Sequence, residues 1–229
     1  MVQLAMLHDP EHAVLDRLGG IEVLSLMAAD AEYGPALAER LQPVRIGVGP
    51  VEAAINTVRT LQGLSLRDRL PALVLSLGSA GSNTLPQTSV HRIASVSWRD
   101  MDASPLGFEK GCTPFLDLPA ERRLPLIGHG PDQRPGVRLS TGANVVGDAA
   151  GYAAIDADMV DMETFAVLRA CEAFDLPLVG IRAVSDGDAT LTRYGDWADC
   201  LPRLDAGLAA AVDELAAALA GGALAAQRQ

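Results

Sequence analysis

Along the chain, apolar and polar positions fall into short buried-strand runs separated by helical stretches. IEVLSLMAA from Ile21 reads as the first core strand. A short helix follows Gly34-Pro35, then the short strand VRIGVG, then the helix VEAAINTVRTLQ. LPALVLSLGSAGS is a continuous apolar run that closes on small residues, the pattern of a strand buried on both faces. VHRIASVSW reads as another strand, and DMVDM and LPLVGIRAVSD as two more. Between those last two, Val167, Ala170, Cys171 and Phe174 recur at i, i+3, i+4 and i+7, which predicts an amphipathic helix. A long Ala/Leu-rich helix begins near Leu201. Residues 112–138, rich in Pro and Gly, read as an irregular connection. Strands alternating with helices predict an α/β fold: a three-layer αβα arrangement around a central mixed, mostly parallel sheet. One domain over residues 21–220 is expected, with an extension over 1–20 and a flexible tail over 221–229.

Charge and cysteine content narrow the function classes. The 229 residues carry 18 Lys and Arg against 29 Asp and Glu, a formal charge of −11. Such a chain is poorly suited to nucleic acid, whose phosphates need cations, and to anionic membranes. The basic stretches around Arg67–Arg69 and Glu121–Arg123 each carry acids as well. Cys112, Cys171 and Cys200 are odd in number and far apart, so neither a disulfide framework nor a structural zinc site is expected. No signal peptide or membrane span is read from the chain, and a reducing cytoplasm is its expected home. His8 and His12 stand four apart, but Pro10 lies between them, and they are expected to bind no metal. No cofactor is expected.

The candidate chemistry lies where strands end. In open α/β sheets, ligands bind beyond the carboxyl ends of strands. GVGPVEA at Gly47–Ala53 lacks the third glycine of a dinucleotide fingerprint, where Glu52 stands. It reads either as a plain strand-to-helix turn or as a glycine turn that brings backbone N–H groups to a ligand. LGSAGS leaves space at its strand end and offers the Ser79 hydroxyl. VDMETF sets Glu163 between a strand and a helix, as a helix cap or as an acceptor for the vicinal hydroxyls of a sugar. VSD ends on Asp186, either the next helix N-cap or, in a cleft, a general acid. Glu32, in AADAEYG, is a third strand-end carboxylate. Three acids and two glycine-rich strand ends converging on one rim favour an active site.

In this order, the segments MAADAEYG, IGVGPVEAA, LGSAGS, RDMDASPLGFEKGCTP and VDMETFAVLRACEAFDLPLVGIRAVSD resemble the 5′-methylthioadenosine/S-adenosylhomocysteine nucleosidases of the nucleoside phosphorylase superfamily. The resemblance implies hydrolysis of the N-glycosidic bond of such nucleosides, with an adenine nucleoside as the bound partner. It implies that Asp186, preceded by Ser185, protonates adenine N7, and that Glu32 deprotonates the attacking water. It implies that Glu163 grips the ribose hydroxyls while Met162 packs on the sugar, and that Ser79 and Arg182 support the site. Val146 would offer backbone hydrogen bonds to the adenine edge, and Val48 would line the sugar. A homodimer is implied too, with Leu106 and Pro114 closing the neighbour's 5′ pocket; an apolar loop of that kind is a liability on a monomer.

The sequence departs from the family at Val145 (an aromatic elsewhere) and Ala29 (a methionine elsewhere). A hairpin before VRIGVG is missing, as is a helix in 115–138. Phosphorolysis would need arginine for phosphate, and Leu75-Ser76-Leu77 holds none where the sister phosphorylases place one. Three other readings stay open: a phosphorolytic purine nucleoside phosphorylase, a non-catalytic nucleoside-binding protein, and a nucleosidase for a futalosine-type substrate.

Overall fold

A computed structural model describes residues 13–127, 135–187 and 189–226. Nine strands are present among them: β1 (Asp16–Leu18), β2 (Ile21–Met27), β3 (Val44–Arg45), β4 (Leu73–Gly81), β5 (Val90–Trp98), β6 (Glu121–Arg123), β7 (Val137–Thr141), β8 (Met159–Asp161) and β9 (Leu178–Asp186). The helices are α1 (Pro35–Ala38), α2 (Pro50–Ser65), α3 (Ala149–Ala153), α4 (Thr164–Glu172), α5 (Tyr194–Ala198), α6 (Leu201–Ala220) and α7 (Ala223–Ala226).

The sheet is mixed. β2 runs parallel to β3 and β4, and β4 runs parallel to β9. β5 is antiparallel to β9 and parallel to β7, which is parallel to β8. β8 then meets β4 again through Gly81 and Val160. β4, β9, β5, β7 and β8 thus form a closed ring, and the closure brings the carboxyl ends of β4 and β8 together. β1 and β6 pair antiparallel to β2 and β5.

Period-two alternation explains why β4 and β9 read as unbroken apolar runs. Leu73, Leu75, Leu77, Val179, Ile181 and Ala183 pack on one side against α1, α6 and α7. Val74, Leu178 and Val184 pack on the other against α2 and α4. Both faces are covered, so neither can be polar. On α4, Val167, Ala170 and Cys171 are buried as the periodicity predicts; Phe174 lies just past the helix end.

The ends of the domain differ from expectation. The sheet begins before Ile21, because β1 lies inside the stretch read as an extension and Leu18 is buried in the core. The tail holds α7, with Leu224 packed into the α6 cluster. His8 and His12 lie outside the described residues. No helix among the described residues is long and apolar enough to cross a membrane.

Candidate active site

The carboxyl ends of β2, β4, β8 and β9 open onto one cleft of about 500 Å³. Nine of the residues singled out in the sequence line it: Glu32, Val48, Ser79, Val145, Val146, Met162, Glu163, Ser185 and Asp186. Arg182 stands behind the wall, and Leu106 and Pro114 lie outside the cleft. Leu106 is 78% exposed.

Glu32 sits on a 3-10 turn, Asp30–Glu32, just after β2. Its Oε1 accepts two hydrogen bonds from Ser79, from the backbone N–H and from the hydroxyl, both at 2.7 Å. The serine hydroxyl accepts in turn from the Trp197 indole N–H at 3.0 Å. The small strand end of β4 is what permits this approach: a Cβ at Gly78 would lie 3.0 Å from Glu32 Oε1. Glu32 Oε2 is buried and has no hydrogen-bond partner among the described residues. Beside it, a hollow of about 10 Å³ is lined by Glu32, Ser76, Glu163 and Arg182. That is about the room one water takes.

Glu163 follows β8 and occupies the N-cap position of α4, yet its side chain makes no capping bond. Asp161 caps the helix instead, accepting from Thr164 N–H at 3.0 Å and from the Thr164 hydroxyl. Arg182 pairs with the same carboxylate, Nη2 to Oδ2 at 3.0 Å, and the Thr141 hydroxyl donates to the other oxygen at 2.6 Å. Arg182 is thereby committed to Asp161, and Glu163 is released to face the cleft. The Oε1 of Glu163 accepts from Gly49 N–H at 2.8 Å. Gly47 and Gly49 have φ of +83° and +92°, so this turn needs glycine. The backbone donor at the start of α2 therefore serves a protein carboxylate. Burial, and after it the charge of Asp161, pushes Glu163 up to about 8.

Asp186 ends β9. The next described helix starts only at Tyr194, so Asp186 is not an N-cap. Its Oδ1 accepts from the Ser185 hydroxyl at 2.5 Å, and its Oδ2 from the Tyr152 hydroxyl at 3.1 Å. Burial and the neighbouring carboxylate push the Tyr152 phenol well above its usual range, so it stays protonated and donates.

Sequence reasoning missed Tyr152, Arg99 and the α5 wall. Arg99 lines the cleft and straps its rim, donating to the carbonyls of Ser140, Asn144 and Asp161. Tyr194 and Trp197 also line the cleft, in an edge-to-face pair at 5.4 Å. They supply aromatic surface where Val145 does not; two exposed-type aromatics in the polar run TRYGDWAD were the available signal. Among the described residues, no group of three or more His, Cys, Asp or Glu is set to hold a metal ion.

Three carboxylates with separate tethers thus face one cleft. One has a free oxygen beside a water-sized hollow, one faces the cleft from a buried position, and one is set between two hydroxyl donors. That arrangement suits acid–base chemistry on a hydroxyl-bearing substrate.

A sequence model of the phosphorylase superfamily matches residues 40–217. The chain is 32% identical over 154 residues to the 5′-methylthioadenosine/S-adenosylhomocysteine nucleosidase of Actinobacillus succinogenes, a match covering 61% of this chain and 65% of that protein. It is 30% identical over 154 residues to the nucleosidase of the same name from Staphylococcus aureus, with the same coverage. The match thus spans just under two thirds of these relatives. Among solved structures, the nucleosidase of Colwellia psychrerythraea in complex with adenine superposes with a TM-score of 0.70 at 20% identity, over 90% of this chain and 98% of that one. The futalosine hydrolase of Helicobacter pylori superposes with a TM-score of 0.62 at 16% identity, over 90% and 97%. At these identities the superpositions speak to the fold, including the mixed sheet flanked by helices.

Proposed function

The chain belongs to the phosphorylase superfamily, and from that premise we propose that it hydrolyses the N-glycosidic bond of 5′-methylthioadenosine or S-adenosylhomocysteine, releasing adenine. The single observation that carries the reading is Glu32: one oxygen tied down by Ser79, the other open beside a water-sized hollow shared with Glu163 and Arg182. A phosphate there would lie against Glu32 and Glu163, two acid side chains that offer it no positive charge. Arg182, the cation lining this hollow, is committed to Asp161, and Arg45 to Asp30 at 2.7 Å. Water is the acceptor this corner suits.

The mechanism follows from the tethers. Asp186 gives its proton to adenine N7 as the C1′–N9 bond breaks and its electron pair moves into the base. The sugar becomes cationic, and Glu163 holds it in place through hydrogen bonds to the ribose hydroxyls. Water adds to C1′ and loses a proton to Glu32. Met162 and Val48 pack on the sugar, and Val146 lies along the adenine edge with Val145 beside it. General acid–base help of this kind is worth ~10²–10⁴ in rate per group. Solvent then returns the proton from Glu32 to Asp186.

We also propose a homodimer and a cytoplasmic home. Leu106, Phe115 and Leu116 are exposed on the 101–116 loop, Phe115 at 94%. Val51, Ile55 and Val58 form a second exposed apolar stripe along α2, next to Val48. Pairing of two copies would cover both, with Leu106 and Pro114 reaching the partner's 5′ pocket.

The test is a nucleoside panel (5′-methylthioadenosine, S-adenosylhomocysteine, adenosine, inosine and futalosine) scored for free base. Adenine from the two thio-nucleosides is expected. Release of no base from any of them would leave a binding protein and end the enzymatic reading.

A further inference from the structure

We propose that Tyr152 is a positioning residue for the acid step: its hydroxyl holds Asp186 Oδ2 in place and stabilises the carboxylate left behind when the proton moves to the base. The inference rests on the nucleosidase reading above.

Tyr152 does not line the cleft, so it acts through Asp186. It is buried on α3, packed with Val146 and Val160, and its hydroxyl lies 3.1 Å from Asp186 Oδ2. The space for that hydroxyl is built into β4. A Cβ at Gly81 would stand 2.1 Å from Tyr152 Oη and 2.9 Å from Asp186 Oδ2, so no larger residue fits there without moving the pair. Gly81 also pairs with Asp186 across the sheet, where the β4–β9 register shifts after Ala80. A glycine, a register shift and a buried tyrosine from a different element thus all converge on one carboxylate oxygen. The other oxygen is held by Ser185. With both oxygens tethered, the carboxyl plane is fixed before substrate arrives, and a fixed proton donor needs no reorganisation during the reaction.

The chemistry gives the direction of the effect. A hydroxyl donor favours the charged form of the carboxylate it touches over the neutral form. Removing it raises the barrier to proton transfer and moves the balance toward the protonated form. Arg99, Glu32, Asp161, Glu163, Arg193 and Tyr194 share the cleft lining with Asp186. Tyr152→Phe replaces none of these side chains and keeps the buried ring; of them, Arg99 is the one that interacts electrostatically with the phenol.

The experiment is the pH profile of kcat for adenine release from 5′-methylthioadenosine, wild type against Tyr152→Phe. The low-pH plateau is expected to fall about 3–10-fold, and the descending limb to move up by about one pH unit. A residue that only fills space would give superimposable profiles, and that result, or a limb moving down, overturns the proposal. Site-specific 3-fluorotyrosine at 152 keeps the fold and strengthens the donor. It should move the limb down, and an unmoved limb there counts equally against the proposal. A wild type that releases no base removes the nucleosidase reading and this inference with it; an active wild type with a matching variant removes only the role of Tyr152.

Discussion

Replacing Asp186 with Asn tests the acid step with little change of shape. In the folded protein, each carboxylate oxygen accepts one hydroxyl, from Ser185 and from Tyr152. The amide oxygen of Asn accepts from one of them, and the other hydroxyl turns to accept from the amide N–H. Two hydrogen bonds are kept, with one of them reversed in direction, so the loss is that of imperfect geometry at one or both. The cost to stability is about 1–2 kcal/mol, which for a domain of this size lowers Tm by about 2–8 °C. The catalytic loss is larger, because an amide has no proton to give: ~10²–10⁴ in kcat, or about 3–5 kcal/mol of barrier. The assay is adenine release at saturating 5′-methylthioadenosine, with circular dichroism and Tm measured on the same preparation. A folded Asp186→Asn enzyme whose kcat stays within about tenfold of wild type would remove Asp186 as the acid.

Two further predictions concern the other contacts. Glu163, held up to about 8 against an ordinary 4.5, keeps a proton in the native state that the unfolded chain has released between those values. The native state binds more protons in that window, so its contribution to stability falls as pH rises through it. Glu163→Gln should flatten the slope of Tm against pH there, and should also lose most of the wild type's preference for ribo- over 2′-deoxy substrates; an unchanged slope and an unchanged preference would detach Glu163 from both roles. Leu106→Asp puts a charge on the proposed dimer loop. It should shift light-scattering mass toward the monomer and raise KM for 5′-methylthioadenosine more than for adenosine, since burying a thioether tail is worth roughly 25 cal/mol per Å²; a fully active wild-type monomer, or unchanged constants in the variant, refutes the shared pocket.

Much of the site was readable in the sequence because it hangs on strand ends. The runs that become β2, β4, β8 and β9 are strongly apolar and end in small or acidic residues, so Glu32, Ser79, Glu163 and Asp186 could be singled out without coordinates. The helix-cap alternative for Glu163 needed the structure to decide, since only there is Asp161 seen to take the cap. Partners supplied by distant elements were not readable. Tyr152 reaches Asp186 across 34 residues of chain, and Trp197 reaches Ser79 across 118; no local pattern marks either. The ring closed through β4 and β8 rests on the single pairing of Gly81 with Val160, and strand order is not written in periodicity. β1 and β6, reading DRL and ERR, are three-residue edge strands too short and too polar to show alternation. Arg182 was placed among the supporting residues, and its pairing with Asp161 gives that support a form: it anchors the cap that frees Glu163.

The central claim is that water, taken up beside Glu32, is the group added to the sugar. It is tested most directly by turning over 5′-methylthioadenosine in H₂¹⁸O with inorganic phosphate present, and analysing the sugar by mass spectrometry at early times, before ring-opening exchange. Free adenine is expected at a rate independent of phosphate, with methylthioribose carrying one ¹⁸O at C1. A sugar 1-phosphate, or turnover that stops when phosphate is withdrawn, would contradict it.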